Sequence, residues 1–256
     1  MKVYIINTGS CNGCDIELIA AALDKITDDP KEADILVITG GVNRKMRKKL
    51  LNICEQFEGK IVAVGSCAIS GGVFKDSYST NQGIDDIVPV DFYIPGCPPS
   101  PKIISSFLEG RDCENIENFR GIPKIDKFKC TGCGACSLGC PSSAIKIKDV
   151  DYIRQIIINY GDCIYCGECE YNCHDNAINL SNKPCNASLE KDNLINITQI
   201  KLSPCRLCGS YFIPTRQLDQ LFEKIDDEEI RYYLGICHKC RSNIDRIKRA
   251  KEILSE

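Results

Sequence analysis

Nineteen of the 256 residues are cysteine, and their spacing decides what chemistry they can do. Cys11 and Cys14 stand two residues apart, after an apolar run at 2–8 and before an apolar helical pattern at 15–26. An apolar run at 61–65 ends in Ser66-Cys67-Ala68, and another at 92–94 ends in Pro95-Gly96-Cys97-Pro98-Pro99. If each run is a strand of an open parallel sheet, the four thiolates meet in the crevice beyond the carboxyl ends of the strands. Four thiolates from three loops suit a cubane iron-sulfur cluster, whose irons each take one cysteine. Zinc also accepts four thiolates, but usually from paired knuckles. The plainer alternative makes Cys67 and Cys97 small buried residues.

Two further runs carry a stronger signal. Cys130, Cys133, Cys136 and Cys140, followed by Pro141, match the bacterial ferredoxin run C-x2-C-x2-C-x3-C-P, and the same spacing returns at Cys163, Cys166, Cys169 and Cys173. His174 replaces the second proline. In a two-cluster ferredoxin the fourth cysteine of each run ligates the other cluster. The expected sets are therefore Cys130, Cys133, Cys136 and Cys173, and Cys163, Cys166, Cys169 and Cys140. Near the end, Cys205 and Cys208 pair with Cys237 and Cys240 as two C-x-x-C knuckles, which suit one structural zinc, with rubredoxin-type iron as the alternative. Cys54, Cys113 and Cys185 remain; Cys54 falls in the apolar set of a helical pattern at 43–57.

The elements that must position these groups divide the chain. Strand and helix patterns alternate over residues 1–110, predicting a parallel α/β layer structure with a flavodoxin-like sheet of order 2-1-3-4. A polar linker is expected at 111–129, a ferredoxin (α+β) unit at 130–181, a second linker at 182–203 and a small four-cysteine zinc-knuckle tail at 204–256. The tail should close on an amphipathic helix at 242–254. A formal charge of −3 gives no basic field, which argues against a nucleic-acid partner. No basic and apolar leader opens the chain, so a cytoplasmic setting is expected, in which cysteines point to metals rather than disulfides. No apolar run approaches membrane-spanning length. No nucleophile–base arrangement and no dinucleotide fingerprint is present, so bond-making chemistry is expected on a partner.

Cys11-Asn12-Gly13-Cys14-Asp15-Ile16-Glu17, Gly65-Ser66-Cys67-Ala68 and Pro95-Gly96-Cys97-Pro98-Pro99 together resemble the small subunit of energy-converting (group 4) NiFe hydrogenases, a relative of the B subunit of complex I. The resemblance covers about residues 1–110. In complex I the first two cysteines are adjacent, whereas here two residues separate them, so the hydrogenase side is the closer match. It implies that Cys11, Cys14, Cys67 and Cys97 hold a proximal 4Fe-4S cluster, and that Glu17 serves as a proton relay. The chain would then be the electron-transfer subunit of a hydrogenase-like oxidoreductase with three 4Fe-4S clusters and one zinc ion. Its partners would be a nickel-iron large subunit, a soluble ferredoxin-type carrier and membrane subunits that hold the complex at the cytoplasmic face. The tail resembles that of ferredoxin-type subunits of formate hydrogenlyase-like complexes. Two alternatives stand beside this: a complex I-like quinone oxidoreductase subunit, and a non-enzymatic iron-sulfur sensor or polyferredoxin-type carrier.

Overall fold

The computed structural model describes residues 1–80, 83–111, 121–181, 188, 190–244 and 246. In the first domain the apolar runs become β1 (Val3–Asn7), β2 (Ile35–Thr39), β3 (Lys60–Val64) and β4 (Phe92–Ile94), all parallel. Between and after them lie α1 (Gly13–Ala22), α2 (Arg44–Cys54), α3 (Ser66–Ser70) and α4 (Pro101–Leu108). Every residue of β2 is buried, as a central strand covered on both faces requires. Alternate side chains serve opposite faces. Val3, Ile35, Val37, Val62 and Ile94 pack with Leu18 and Ala22 of α1 and Ile103, Ile104 and Leu108 of α4. On the other face Leu36, Ile38, Ile61 and Ala63 pack with Leu50 of α2 and Ala68 and Ile69 of α3.

The sheet order is β1-β2-β3-β4, which corrects the expected 2-1-3-4. The reason lies at Ile26, which makes a parallel bridge to Val3 on the free side of β1. That bridge takes the flank that the expected order gave to the strand at 35–39. It cannot lengthen into a strand because Pro30 follows closely and opens a 3-10 turn. Right-handed crossovers then put α1, which leads toward Ile26, on one face and α2, which leads from β2 to β3, on the other. The first helix is also shorter than the pattern at 15–26. It gives way to a 3-10 turn at Leu23–Lys25, and Ile19 and Leu23 are 45% and 71% exposed rather than in the core.

The second unit is built on two antiparallel strand pairs. β6 (Ile145–Val150) and β7 (Ile153–Asn159) pair antiparallel, as do β5 (Ile122–Ile125) and β8 (Ile178–Ser181). Short helices α5 (Ala135–Leu138) and α6 (Glu168–Tyr171) lie between. β5 falls within the stretch read as a linker at 111–129. It is part of the ferredoxin-type unit, held by its pairing to β8 and by the Tyr160 hydroxyl, which donates to the Pro123 carbonyl at 3.1 Å. The second expected linker, 182–203, likewise contains most of β9 (Ile195–Pro204), which pairs with β7 on one side and with β10 (Tyr211–Pro214) on the other. It is a strand with one solvated face, which carries Ile195 and Ile197, while Ile200 and Leu202 on the other face are buried. α7 (Thr215–Lys224) and α8 (Glu228–Leu234) complete the tail. Most of the helix expected at 242–254 lies outside the described residues, as do Cys113 and Cys185. Among the described residues no helix is long and apolar enough to cross a membrane.

Candidate metal centres

Each cysteine of the first set leaves the carboxyl end of a strand. Cys11 and Cys14 follow β1, with Asn12 at φ 65° turning the chain into α1; Cys67 opens α3 after β3; Cys97 follows β4. The four are close enough to act on one another electrostatically. Burial pushes the Cys14 thiol up to about 12, helped by Cys67, Cys97, Asp15 and Cys11. Burial pushes Cys67 up to about 11, helped by Cys97 and Cys11. Such a group can hold four thiolates only when a cationic centre neutralises them, as a cluster or metal does. Gly65 makes the room. At φ +89°, a Cβ there would stand 2.4 Å from the Cys14 Sγ, so only glycine permits the approach.

The two ferredoxin-type runs keep their repeat in the backbone as well as in the cysteines. Left-handed residues recur in corresponding places, Gly132 and Tyr165, Gly134 and Gly167, Ser143 and Asn176. The Ala144 N–H donates to Cys140 Sγ at 3.3 Å, and the Ala177 N–H to Cys173 Sγ at 3.2 Å. Cys140, Cys163, Cys166 and Cys169 line one cavity together with Ile164 and Leu180. Across the two runs Cys130 feels Cys173, Cys136 feels Cys169 and Cys173, and Cys163 and Cys169 feel Cys140. Burial, ahead of the neighbouring thiols, pushes Cys136 and Cys163 up to about 12. The donor set and the cavity fit a cubane. His174, in place of the second proline, is exposed.

In the tail, the sulfurs of Cys205, Cys208, Cys237 and Cys240 lie within 4.8 Å of one another. Burial pushes Cys205 up, but the N–H groups of Cys237, Cys208 and Leu207 outweigh it and bring the thiol below its ordinary value. Backbone donors aimed at sulfur are what a metal knuckle needs. Four thiols at this spacing fit a tetrahedral ion.

Sequence reasoning missed two groups of residues. Asp15 accepts from Asn7 at 3.0 Å, Ser10 at 2.7 Å and Thr39 at 2.9 Å, tying the Cys11–Cys14 loop to the ends of β1 and β2. It is also the acidic residue of the first turn of α1; Glu17, half-buried, lies further along the helix. Ser66 and Ser70 bond to the ferredoxin-type unit. Only their position beside Cys67 hinted at this.

Residues 11–110 match the family model described as NADH ubiquinone oxidoreductase, 20 Kd subunit. An uncharacterized protein of Methanocaldococcus jannaschii is 44% identical over 121 residues, 43% of this chain and 81% of that protein. The chain belongs to the 20 kDa subunit family. Residues 129–177 match a second model, a 4Fe-4S dicluster domain, so this member joins its family domain to a ferredoxin-type domain. A Pyrococcus furiosus protein named as a probable membrane-bound hydrogenase subunit is 41% identical over 113 residues, 40% of this chain and 68% of that protein. Subunit 7 of formate hydrogenlyase from Escherichia coli is 44% identical over 110 residues, 39% of this chain and 43% of that subunit. The chain thus spans under half the length of this last relative.

Proposed function

We propose that this 20 kDa subunit family member is the electron-transfer subunit of a hydrogenase-like oxidoreductase complex, with three 4Fe-4S clusters and one structural zinc. The carrying observation is the convergence of Cys11, Cys14, Cys67 and Cys97 at the strand ends of a domain related to hydrogenase subunits. When bound, the clusters supply one-electron storage and transfer. The chain's own residues supply the rest. Cys11, Cys14, Cys67 and Cys97 ligate the proximal group, Cys130, Cys133, Cys136 and Cys173 the second, and Cys163, Cys166, Cys169 and Cys140 the third. Cys205, Cys208, Cys237 and Cys240 hold zinc. Asp15 and Gly65 keep the first loop at its approach distance, and Glu17 is the proton-relay candidate. The units are residues 1–110, a ferredoxin-type domain that takes in β5 at 122–125 and runs to 181, and a tail joined to it through β9 at 195–204.

The partner is a nickel-iron large subunit facing the Cys11 loop. A soluble ferredoxin-type carrier serves the other end, and membrane subunits hold the complex at the cytoplasmic face. The two-residue gap between Cys11 and Cys14 favours this reading over a complex I-like quinone reductase. Purification of the native complex through this chain tests it. A co-purifying large subunit with about one nickel per complex and hydrogen-dependent reduction of the chain is expected. Recovery of the chain alone, or with a nickel-free quinone reductase, overturns it.

A further inference from the structure

Cys130 and Cys163 are equivalent positions of the repeated run, yet their carbonyls are bonded from opposite sides. The Cys163 carbonyl accepts the Ser66 hydroxyl at 2.8 Å, from the α/β domain. The Cys130 carbonyl accepts Arg216 Nη1 at 3.0 Å, from the tail. The surroundings agree with this polarity. Ser70 donates to the Gly161 carbonyl at 3.1 Å, and Lys75 reaches Asp162 at 3.1 Å and the Ser142 carbonyl at 3.2 Å. Both members of the Lys75–Asp162 pair are largely buried, with side chains 14% and 7% exposed. Ile69 of α3 packs so closely on Gly161 that a Cβ there would meet its Cγ2 at 2.9 Å.

Ser66 is the residue immediately before Cys67. One hydrogen bond therefore separates the backbone that carries a cysteine of the first set from the backbone that carries a cysteine of the ferredoxin-type domain. We propose that Ser66 is a positioning residue that seats the set of Cys163, Cys166, Cys169 and Cys140 against the set of Cys11, Cys14, Cys67 and Cys97. This makes it the inner set and leaves that of Cys130, Cys133, Cys136 and Cys173 outermost, beneath the tail. The inference rests on the three-cluster reading above. It adds an order that cysteine spacing cannot give, because the two runs are interchangeable in sequence.

The test is electron paramagnetic resonance of the full-length protein, loaded anaerobically and fully reduced, read as the spin–spin splitting and relaxation of the first-set signal. Cys166→Ser should abolish the interaction, whereas Cys133→Ser should leave it unchanged. Ser66→Ala should weaken it while the iron content stays at the wild-type value. Ser70→Ala, which loses a bond of the same interface but not one to a ligand cysteine, should keep the wild-type spectrum. Loss of the interaction in Cys133→Ser rather than Cys166→Ser overturns the order. A wild-type spectrum in Ser66→Ala, or an equal loss in Ser70→Ala, overturns the role of Ser66. A wild-type protein with iron for only two clusters and no first-set signal overturns the three-cluster reading, and the proposal with it, and the iron count alone identifies that failure.

Discussion

The first and last cysteine sets use the same four donors in opposite settings. Cys11, Cys14, Cys67 and Cys97 hang from a parallel sheet with an apolar core on each face, in which Leu18, Leu36, Ile38, Leu50 and Ile69 are 1% exposed or less. Each such side chain contributes about 1.5–3 kcal/mol on burial, so the sheet is expected to stand without any metal. The tail has a different balance. Its own buried cluster consists of Cys205, Ile236 and Cys237, two of the three being metal-ligand candidates. The first set is therefore a site placed on a fold, whereas in the tail the site supplies much of the fold.

The largest effect should come from the tail. Cys237→Ser removes a buried candidate ligand, and a structural zinc contributes on the order of 10 kcal/mol to the folding of such units. Hydrogen exchange should show protection lost between the first and last knuckle cysteines, with β1 to β4 unchanged. Retained protection would erase the contrast.

Cys97→Ser should act the other way, with chemistry lost and structure kept. One cluster of three should disappear, and the cooperative unfolding of the α/β domain should shift by less than about 2 kcal/mol, as for a single conservative substitution. Iron analysis beside a denaturant curve measures both. Collapse of the domain would mean that the first site, too, carries its fold.

Gly65→Ala sharpens the same point without touching a ligand. Its φ of +89° and the 2.4 Å approach to Cys14 Sγ predict a strain of about 1–3 kcal/mol and displacement of Cys14. The first-set signal should weaken while both ferredoxin-type signals remain. Equal weakening of all three signals would count against a local cause.

Much of the site was legible because cysteine spacing is local. The repeat of the two runs and the placing of Cys11, Cys14, Cys67 and Cys97 after three strands follow from motif and pattern alone. The strand at 195–204 was not legible because its alternation changes phase: Ile195 and Ile197 fall on one face and are exposed, whereas Ile200 and Leu202 fall on the other and are buried. Nor was β5, whose apolar residues, Ile122 and Ile125, have a meaning only opposite β8. The sheet order failed at Ile26, where a single bridge does the work of a strand. Ser66 and Asp15 act through contacts with residues distant in sequence or on another strand, which periodicity does not encode.

A smaller effect separates the two ends of the ferredoxin-type domain. Arg216 places a cation beside the Cys130 carbonyl, where Ser66 places a neutral hydroxyl beside that of Cys163. A nearby positive charge favours the more negative, reduced state of a bound cluster. Arg216→Gln should therefore lower the midpoint potential of the outer set and leave that of the inner set in place. A redox titration followed by paramagnetic resonance resolves the two, and equal shifts in both would contradict the assignment of ends.

Counting metal and sulfide in the anaerobically purified full-length chain decides whether the first set holds a cluster. Three clusters require about 12 irons and about 12 acid-labile sulfides per chain, with about one zinc held by the tail. About eight irons and eight sulfides would leave only the ferredoxin-type domain loaded and would contradict a cluster at Cys11, Cys14, Cys67 and Cys97.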